Sequence, residues 1–430
     1  MTRSPAPIQI RVIRSGEVEV SSASETRYPA NQLGIRAMIA SALDCAEFPL
    51  DLSVFPVSPI SAHQIIPENY HLAKAIRPDQ DGVRFLELLP HDACNHDCSW
   101  CFTKQIRDAN VLGAASARKV LELFASQGGA SVLFSGGGEP LLAKYLSIPS
   151  ADFDGLTAPR WLADRGISVG LITNGVHLKR YLQHNVETFS NAAFVRVSLD
   201  ACNALEYRRT HNADENDFAK VLDGIEHLIS LRGISRTPAV GISFVLGDAY
   251  GLDTSASAIR SIATLARQLN VDFVQLKHVH TSQAASADQN MREVFDHCLG
   301  EDWEDTEYWV HRYALPKPSQ DCHVASVSRL IGAAGHSHPC CHRQDMTIPP
   351  QRLLPSKTYN IIKNCGSEVC RYVSLNEQLL SSMGRDANRA AHNTAHHKLF
   401  LSLRQHGYHP YRLFPSAPDL FGYTNLNDCK

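Results

Sequence analysis

The sequence contains no apolar stretch long enough to cross a membrane, since a spanning helix needs about 20 consecutive apolar residues. It also has no run of Lys or Arg, and its formal net charge is -3. We therefore expect neither a nucleic acid nor a membrane surface as a partner. The N-terminal segment "MTRSPAPIQI" lacks the apolar core of a signal peptide, and we expect a cytoplasmic protein.

Cysteine is unevenly distributed along the chain, which contains 12 of them. Three occur within residues 94–101 and five within 322–370, whereas four are isolated, at positions 45, 202, 298 and 429. A reducing cytosol disfavours disulfides, and 430 residues far exceed the small secreted proteins that depend on them. The pattern therefore predicts two separate thiolate sites that bind metal.

From about residue 83 the sequence alternates between short apolar runs and amphipathic segments. Six runs have the continuous apolar character of buried parallel strands, at 83–89, 131–136, 168–175, 194–200, 240–247 and 271–280. Helical patterns separate them, for example over 217–233. Such units build a partial or full α/β barrel or an open doubly wound sheet, with the chemistry at the carboxyl ends of the strands.

The chain is longer than one hydrophobic core usually organises. We divide it into an N-terminal α+β extension over 1–80, the β/α unit over 81–300 and a smaller, cysteine-rich α+β domain over 301–430. The extension is predicted to contain a hairpin over 8–22 and a helix over 31–48, and to cap the barrel.

Each distinctive polar motif follows one of the predicted strands at its carboxyl end. The first cysteine group follows the first strand, and "GGGEP" at 136–140 follows the second. The segment "TNG" at 173–175 closes the third strand, and Ser198 and Asp200 close the fourth. Because these ends gather at one edge of a parallel sheet, the sequence predicts a single active site there.

Cys94, Cys98 and Cys101 supply three thiolates, one fewer than the irons of a [4Fe-4S] cubane. The remaining iron of such a cluster is open to a substrate or cofactor. A structural zinc site is the alternative interpretation. It requires a fourth Cys or His ligand, and His91 and His96 are nearby in the sequence.

The spacing C-x-x-x-C-x-x-C followed by an aromatic residue, with Gly-Gly-Glu-Pro after the second strand, resembles the radical S-adenosylmethionine (radical SAM) superfamily over about residues 83–280. The resemblance implies a partial (β/α)6 TIM-like barrel and a [4Fe-4S] cluster whose open iron chelates SAM. It further implies reductive cleavage of SAM to a 5'-deoxyadenosyl radical that abstracts hydrogen from a substrate. A flavodoxin- or ferredoxin-type protein is the implied electron donor.

The same resemblance implies roles in SAM binding for residues at the strand ends. Gly137 and Gly138 let the backbone approach the methionine part of SAM, and Glu139 receives its ammonium group. The other candidates are Phe102 near the adenine, Asn174, Ser198 and Asp200 near the ribose or methionine, and Arg208, or Arg209 in its place, at the carboxylate. Plain structural roles are the alternatives, such as loop packing for Phe102 and turn formation for Asn174.

In the second cysteine group, an alternating apolar segment, a Gly-rich turn and a return segment lie between Cys322 and Cys340. This pattern predicts a β-hairpin with a cysteine at each base. It resembles the twitch or shortened SPASM extension of radical SAM enzymes, which holds an auxiliary [4Fe-4S] cluster. The implied ligands are Cys322, Cys340 or Cys341, Cys365 and Cys370. The last pair is separated by four residues instead of the usual two, and zinc is the alternative metal.

The sequence thus predicts a radical SAM enzyme that acts on a small substrate such as a sugar, an aminocyclitol or a natural product, with the type of reaction open. Gln275 and Lys277, on the sixth strand, are candidates for the substrate side. Two alternatives stay open. One is a maturase of a ribosomal precursor peptide, and the other is a zinc-stabilised scaffold without catalytic activity.

Overall fold

The computed structural model describes three short N-terminal strands, most of residues 83–278, and shorter segments up to residue 365. The described ranges are 9–13, 17–21, 25–29, 83, 85–101, 103–129, 131–188, 194–232, 238–246, 255–271, 273–278, 309–313, 321–322, 324–326, 328–341, 343–348, 362–363 and 365. The helix predicted over 31–48 and the candidate site residues Phe102 and Cys370 lie outside these ranges.

The N-terminal strands form an antiparallel sheet of their own. Strands β1 (Gln9–Ile13) and β2 (Glu17–Ser21) pair as a hairpin, and β3 (Glu25–Pro29) continues the meander on β2. The predicted hairpin over 8–22 is confirmed, and the third strand was not predicted.

The main sheet has nine strands among the described residues, in the order β10-β9-β8-β7-β6-β5-β4-β11-β12. The strands are β4 (Phe85–Leu88), β5 (Ser131–Phe134), β6 (Ser168–Thr173), β7 (Phe194–Ser198), β8 (Ala239–Leu246), β9 (Phe273–His278), β10 (Trp309–Tyr313), β11 (Ser328–Ile331) and β12 (Ser337–His338). Neighbouring strands are parallel except β12, which pairs with β11 as an antiparallel hairpin. The described sheet is therefore an open, almost entirely parallel α/β sheet.

Strands β4 to β9 are the six strands predicted from the sequence, in sequential order, which confirms that part of the fold. The sheet continues beyond the boundary predicted at residue 301. β10 pairs with β9 at one edge, and β11 pairs with β4 at the other. Strands β10, β11 and the outermost strand β12 all come from the segment that the sequence assigned to a separate C-terminal domain.

Helices connect the strands of the main sheet in the pattern of β/α units. They are α1 (Ala114–Ser126), α2 (Lys144–Ser147), α3 (Ala158–Ala163), α4 (Leu178–Asn185), α5 (Ala204–His211), α6 (Asp217–Leu231) and α7 (Ala256–Leu269). None of the helices in the described part of the chain is long and apolar enough to span a membrane.

Helix α6 illustrates how the sequence determines the packing of this layer. It buries one apolar stripe against the sheet, as an amphipathic helix does. The apolar side chains of that stripe are Phe218, Val221, Ile225 and Leu228. A Cβ added at Gly224 would lie 3.1 Å from the Cβ of Leu178 on α4, so the glycine allows the two helices to pack closely.

The apolar core lies between the sheet and the helices, and it leaves polar residues on the other face of the sheet. On β7, Val195 and Val197 are buried in the core. Because successive residues of a strand point to opposite faces, Arg196 lies on the face opposite the helices, which we call the inner face. Arg196 donates a hydrogen bond to Gln275, a residue predicted for the substrate side, and both are buried. The inner face of the sheet is therefore partly polar below the strand ends.

Candidate active site

The three cysteines of the first group lie in the loop that directly follows β4, and all are half-buried. A backbone hydrogen bond of 3.3 Å from the Cys101 N–H to the Cys98 carbonyl closes the turn between them. Burial raises the pKa of the Cys94 and Cys98 thiols, and neighbouring thiols of the group raise it further. Because a bound cation stabilises thiolates that would otherwise repel one another, these residues suit an iron–sulfur cluster.

The thiols are not arranged around a single ion position. Among the residues that the structure describes, no three His, Cys, Asp or Glu side chains form a group that could hold one metal ion. A cubane binds each cysteine through a different iron, so its ligands do not need to converge on one point.

Each sulfur of the group has a hydrogen-bonding neighbour. The backbone N–H of His96 donates to Cys94 Sγ at 3.4 Å, and Cys101 Sγ lies 3.2 Å from the Thr103 hydroxyl. Cys98 Sγ lies 3.1 Å from Nδ1 of His211 on α5. Hydrogen bonds to ligand sulfurs are among the factors that set the reduction potential of iron–sulfur clusters.

Two contacts fix the cysteine loop to helices on the other side of the site. The Asp97 N–H donates to the His211 carbonyl at 3.0 Å. The Nε2 atom of His96 lies 3.2 Å from the Asp217 carboxylate at the start of α6, and both side chains are buried. Burial lowers the pKa of His96 to about 4, so the ring is neutral at pH 7 and its Nε2–H donates to the carboxylate. This pair anchors the segment between Cys94 and Cys98.

The two histidines that the sequence offered as zinc ligands both have other partners. His96 is bound to Asp217, as described above, and Nδ1 of His91 accepts a hydrogen bond of 2.9 Å from the Ala93 N–H.

Replacing Asp217 with alanine is expected to lower the free energy of unfolding by about 2 kcal/mol, because the buried His96 N–H loses a charged acceptor. Urea unfolding followed by circular dichroism measures the change. Asp214→Ala is the matched control, since Asp214 is exposed in the segment just before α6, and a change below about 0.5 kcal/mol is expected. Equal stabilities of the two variants would show that His96 is not anchored by Asp217.

The Gly-Gly-Glu-Pro segment after β5 pairs its backbone with the cysteine loop. The Gly138 N–H donates to the His91 carbonyl and the Glu139 N–H to the Ala93 carbonyl, each at 2.9 Å. A Cβ on Gly138 would lie 2.0 Å from the Ala93 oxygen, so this position requires glycine. The close approach that the sequence assigned to the methionine of SAM is thus made here to the cysteine loop itself.

Glu139 is 2% exposed and connects the ends of two strands. Its Oε1 accepts hydrogen bonds from the Leu141 N–H at 3.0 Å and the Thr173 hydroxyl at 2.6 Å, and its Oε2 accepts the Asn174 N–H at 2.8 Å. Burial raises the pKa of Glu139, and these hydrogen bonds oppose the shift. The carboxylate is close enough to Cys94 to raise the pKa of that thiol.

Asn174 combines a turn role with a contact to the cysteine loop. Its Oδ1 accepts the Val176 N–H at 3.1 Å, and the following Gly175 has a φ of 88°, which is the predicted turn chemistry. Its Nδ2 donates to the Asn95 side chain at 2.8 Å and lies 3.9 Å from Cys94 Sγ.

The candidates after β7 occupy different environments. Ser198 is half-buried at the strand end, whereas Asp200 is buried, has a φ of 49° and accepts a hydrogen bond from the Val245 N–H. Arg208 and Arg209 are exposed on α5. Asp200 lies 3.8 Å from the ring of His211, which in turn contacts Cys98. The fourth strand end therefore adjoins the cysteine loop, as predicted.

Residues 88–246 match the sequence model of the Radical SAM superfamily. This range is less than half of the chain. The matched range begins at the last residue of β4 and contains β5 to β8, and the parallel sheet fits the partial barrel of that superfamily. A match to this superfamily implies SAM and a [4Fe-4S] cluster as cofactors.

Several solved structures are similar to this chain at low sequence identity. Streptococcus suis SuiB bound to S-adenosylmethionine has a TM-score of 0.47 and 12% identity, over 80% of this chain and 84% of that chain. The anSMEcpe protein with bound AdoMet has a TM-score of 0.46 and 14% identity, over 74% and 96% of the two chains. SuiB bound to precursor peptide SuiA has a TM-score of 0.45 and 11% identity, over 78% and 82%. No curated protein is significantly similar in sequence.

Sequence reasoning missed three residues that contact the cysteine loop. They are Thr103 beside Cys101, Asp217 beside His96, and His211 beside Cys98. His211 is 2% exposed, its Nε2 lies 3.0 Å from the Leu199 carbonyl, and burial lowers its pKa to about 4. Sequence analysis considered only His91 and His96 beside the first cysteine group, and the position of His211 in the segment that follows Ser198 and Asp200 was the one available signal.

The second cysteine group flanks the strands β11 and β12 at one side of the main sheet. The predicted hairpin is confirmed as β11 and β12, with Cys322 before it and Cys340 and Cys341 after it. Paired backbone hydrogen bonds between Cys322 and Ile362 bring the chain back near Cys365. Burial raises the pKa of the Cys322 thiol, and Cys365 adds to the shift.

The two adjacent cysteines of the second group differ in their surroundings. Cys341 is buried and packs with Leu89 and Leu330, whereas Cys340 is half-buried. Cys370 lies outside the described residues. The geometric link within the group is the pairing of Cys322 with Ile362, which lies three positions before Cys365.

Proposed function

We propose that this protein is a radical SAM enzyme that cleaves SAM reductively and abstracts a hydrogen atom from its substrate. The observation that carries the proposal is the grouping of Cys94, Cys98 and Cys101 after β4, within the range that matches the Radical SAM superfamily. When bound there, a [4Fe-4S] cluster supplies the electron that breaks the sulfonium of SAM, giving methionine and a 5'-deoxyadenosyl radical.

The protein's own residues hold and orient the reactants. The three cysteines hold the cluster, and Thr103 and His211 orient two of the thiols. Oε2 of Glu139 accepts one described hydrogen bond and keeps capacity for a second donor. We assign that capacity to the ammonium group of SAM, in line with the role expected from the sequence.

The remaining predicted SAM contacts are part of the proposal. They are Gly137, Gly138, Asn174, Ser198, Asp200 and Arg208, together with Phe102 outside the described residues. The polar inner face at Arg196 and Gln275 lies below the same strand ends, which suits a substrate that enters from above them.

Two classes of substrate are proposed, a small molecule and a peptide. The sequence favoured a small molecule, with a peptide as the alternative. One similar structure contains SuiB with its precursor peptide SuiA, and another contains anSMEcpe with a peptide. The peptides in these two structures support a peptide substrate for this protein at least as well as a small molecule. A short precursor-peptide gene beside the gene for this protein would favour a peptide, and sugar or aminotransferase genes would favour a small molecule.

The second cysteine group is proposed to hold an auxiliary [4Fe-4S] cluster through Cys322, Cys340 or Cys341, Cys365 and Cys370. Four thiolates match the four irons of a cubane and leave no iron open for SAM. Zinc bound by the same residues is the alternative, and it would accompany the scaffold interpretation.

Iron analysis of a variant that lacks the first three cysteines tests this assignment. After anaerobic reconstitution the variant should retain about four irons per chain, and wild-type protein about twice that number. The electron paramagnetic resonance signal of the reduced variant should not change on addition of SAM, whereas part of the wild-type signal should shift. Zinc without iron in the variant would show that the second cysteine group is a structural zinc site and does not hold an auxiliary cluster.

A further inference from the structure

The cysteine loop is attached to the Gly-Gly-Glu-Pro segment at both of its ends. At its start, the carbonyls of His91 and Ala93 accept backbone hydrogen bonds from that segment. At its end, the hydroxyl of Thr103 donates to the Gly137 carbonyl at 2.5 Å. Backbone groups therefore hold one end of the loop, and a side chain holds the other.

Thr103 is buried in a stretch of the chain that is otherwise exposed. It is 3% exposed, whereas Lys104 and Gln105 are exposed and Ile106 is 55% exposed. A buried hydroxyl is out of reach of bulk water and needs a partner within the protein. Because the apolar Ile106 is left in solvent and the polar Thr103 is buried beside it, the hydroxyl and not apolar packing accounts for the position of Thr103.

The same hydroxyl also contacts a proposed cluster ligand. Its oxygen lies 3.2 Å from Sγ of Cys101. A hydroxyl serves both neighbours because it has one hydrogen and two acceptor lone pairs. When Cys101 binds iron as a thiolate, the hydrogen is shared between Sγ and the Gly137 carbonyl in a three-centre bond, so the link persists. Thr103 thus connects the last cysteine of the group to the Gly-Gly-Glu-Pro segment.

We propose that Thr103 is a positioning residue that keeps the iron–sulfur cluster and the Gly-Gly-Glu-Pro segment at the separation that SAM requires. This inference rests on the proposed function, in which SAM attaches both to the open iron and to Glu139. Glu139 lies two positions after Gly137, the partner of Thr103. Two attachments support each other when their spacing is fixed in advance, because ordering a loose site on binding costs free energy. Removal of the hydroxyl should therefore weaken SAM binding without removing a ligand of the cluster.

The experiment is isothermal titration calorimetry of SAM with the anaerobically reconstituted full-length protein. Thr103→Val keeps the shape of the side chain and removes the hydroxyl, and it should bind SAM about tenfold more weakly at the iron content of wild type. The electron paramagnetic resonance signal of the reduced variant should need correspondingly more SAM to shift. Thr103→Ser keeps the hydroxyl and should bind SAM as wild type does, which a role in packing alone would not produce.

Thr157→Val is the matched control for the loss of a buried hydroxyl. Thr157 is 1% exposed at the start of α3, where its hydroxyl donates to Asn185 and accepts the Arg160 N–H. Neither partner belongs to the cysteine loop or to the Gly-Gly-Glu-Pro segment. This variant should lose stability and still bind SAM with wild-type affinity.

The outcomes separate this inference from the proposed function. A failure of iron-loaded wild-type protein to bind SAM overturns both. Wild-type affinity in Thr103→Val overturns the inference alone, and so does an equal loss of affinity in Thr157→Val, because general destabilisation would then be responsible. If Thr103→Val does not hold the cluster, Thr103→Ser decides, since wild-type affinity in that variant supports the inference and a loss of about tenfold contradicts it.

Discussion

A variant with Cys94, Cys98 and Cys101 replaced by alanine is expected to form no 5'-deoxyadenosine above background when reduced with dithionite in the presence of SAM. The three thiols lie together after β4, within the range that matches the Radical SAM superfamily, and their substitution removes every protein ligand proposed for the SAM-binding cluster. Without that cluster no electron reaches the sulfonium. Liquid chromatography with mass spectrometry measures the product.

Cys202→Ala is the matched control for this variant. Cys202 is half-buried in the loop between β7 and α5, outside both cysteine groups, and its replacement should leave the cleavage of SAM at the wild-type rate. Undiminished formation of 5'-deoxyadenosine by the triple variant would refute the assignment of the first cysteine group. A large loss in the control would show that cysteine replacement itself damages the fold.

Glu139→Ala is expected to lower both the stability of the protein and its affinity for SAM. The substitution removes the acceptor of three hydrogen bonds, from Leu141, Thr173 and Asn174, and leaves those donors buried. Loss of a buried charged acceptor of this kind costs about 4 kcal/mol. Urea unfolding measures the stability, and isothermal titration calorimetry of the reconstituted protein measures the binding of SAM.

Two further variants identify which property of Glu139 matters. Glu139→Gln keeps the shape and one acceptor oxygen, so it should retain part of the stability but bind SAM more weakly, because the amide carries no charge for the ammonium group. Glu122→Ala removes an ordinary carboxylate that is 63% exposed on α1, and it should change neither quantity appreciably. Wild-type affinity for SAM in Glu139→Ala would remove Glu139 from the SAM site.

The six central strands and the location of the site could be predicted because both are encoded locally. Continuous apolar runs mark buried parallel strands, and the polar motifs follow those runs directly. The outer strands could not be placed in the sheet in the same way, since β10 was not predicted and the predicted hairpin of β11 and β12 carried no sign that it would join β4. Strand β11 has four residues and joins β4, which lies more than two hundred positions earlier in the sequence, so no local pattern reports the pairing.

The contacts that support the cysteine loop were missed for the same physical reason. His211 and Cys98 are 113 positions apart, and Asp217 and His96 are 121 apart. Their side chains meet because successive β/α units place α5 and α6 beside the end of β4. The role of Glu139 was foreseen only as a SAM contact, since hydrogen bonds to Thr173 and Asn174 depend on the neighbouring strand end.

The central claim is that this protein cleaves SAM reductively at the first cysteine group. The most direct measurement is the incubation of anaerobically reconstituted wild-type protein with SAM and dithionite, followed by quantification of 5'-deoxyadenosine and methionine. The account predicts that both products accumulate in equal amounts and that the signal of the reduced cluster shifts when SAM is added. Intact SAM after incubation with fully iron-loaded, reduced protein would contradict it.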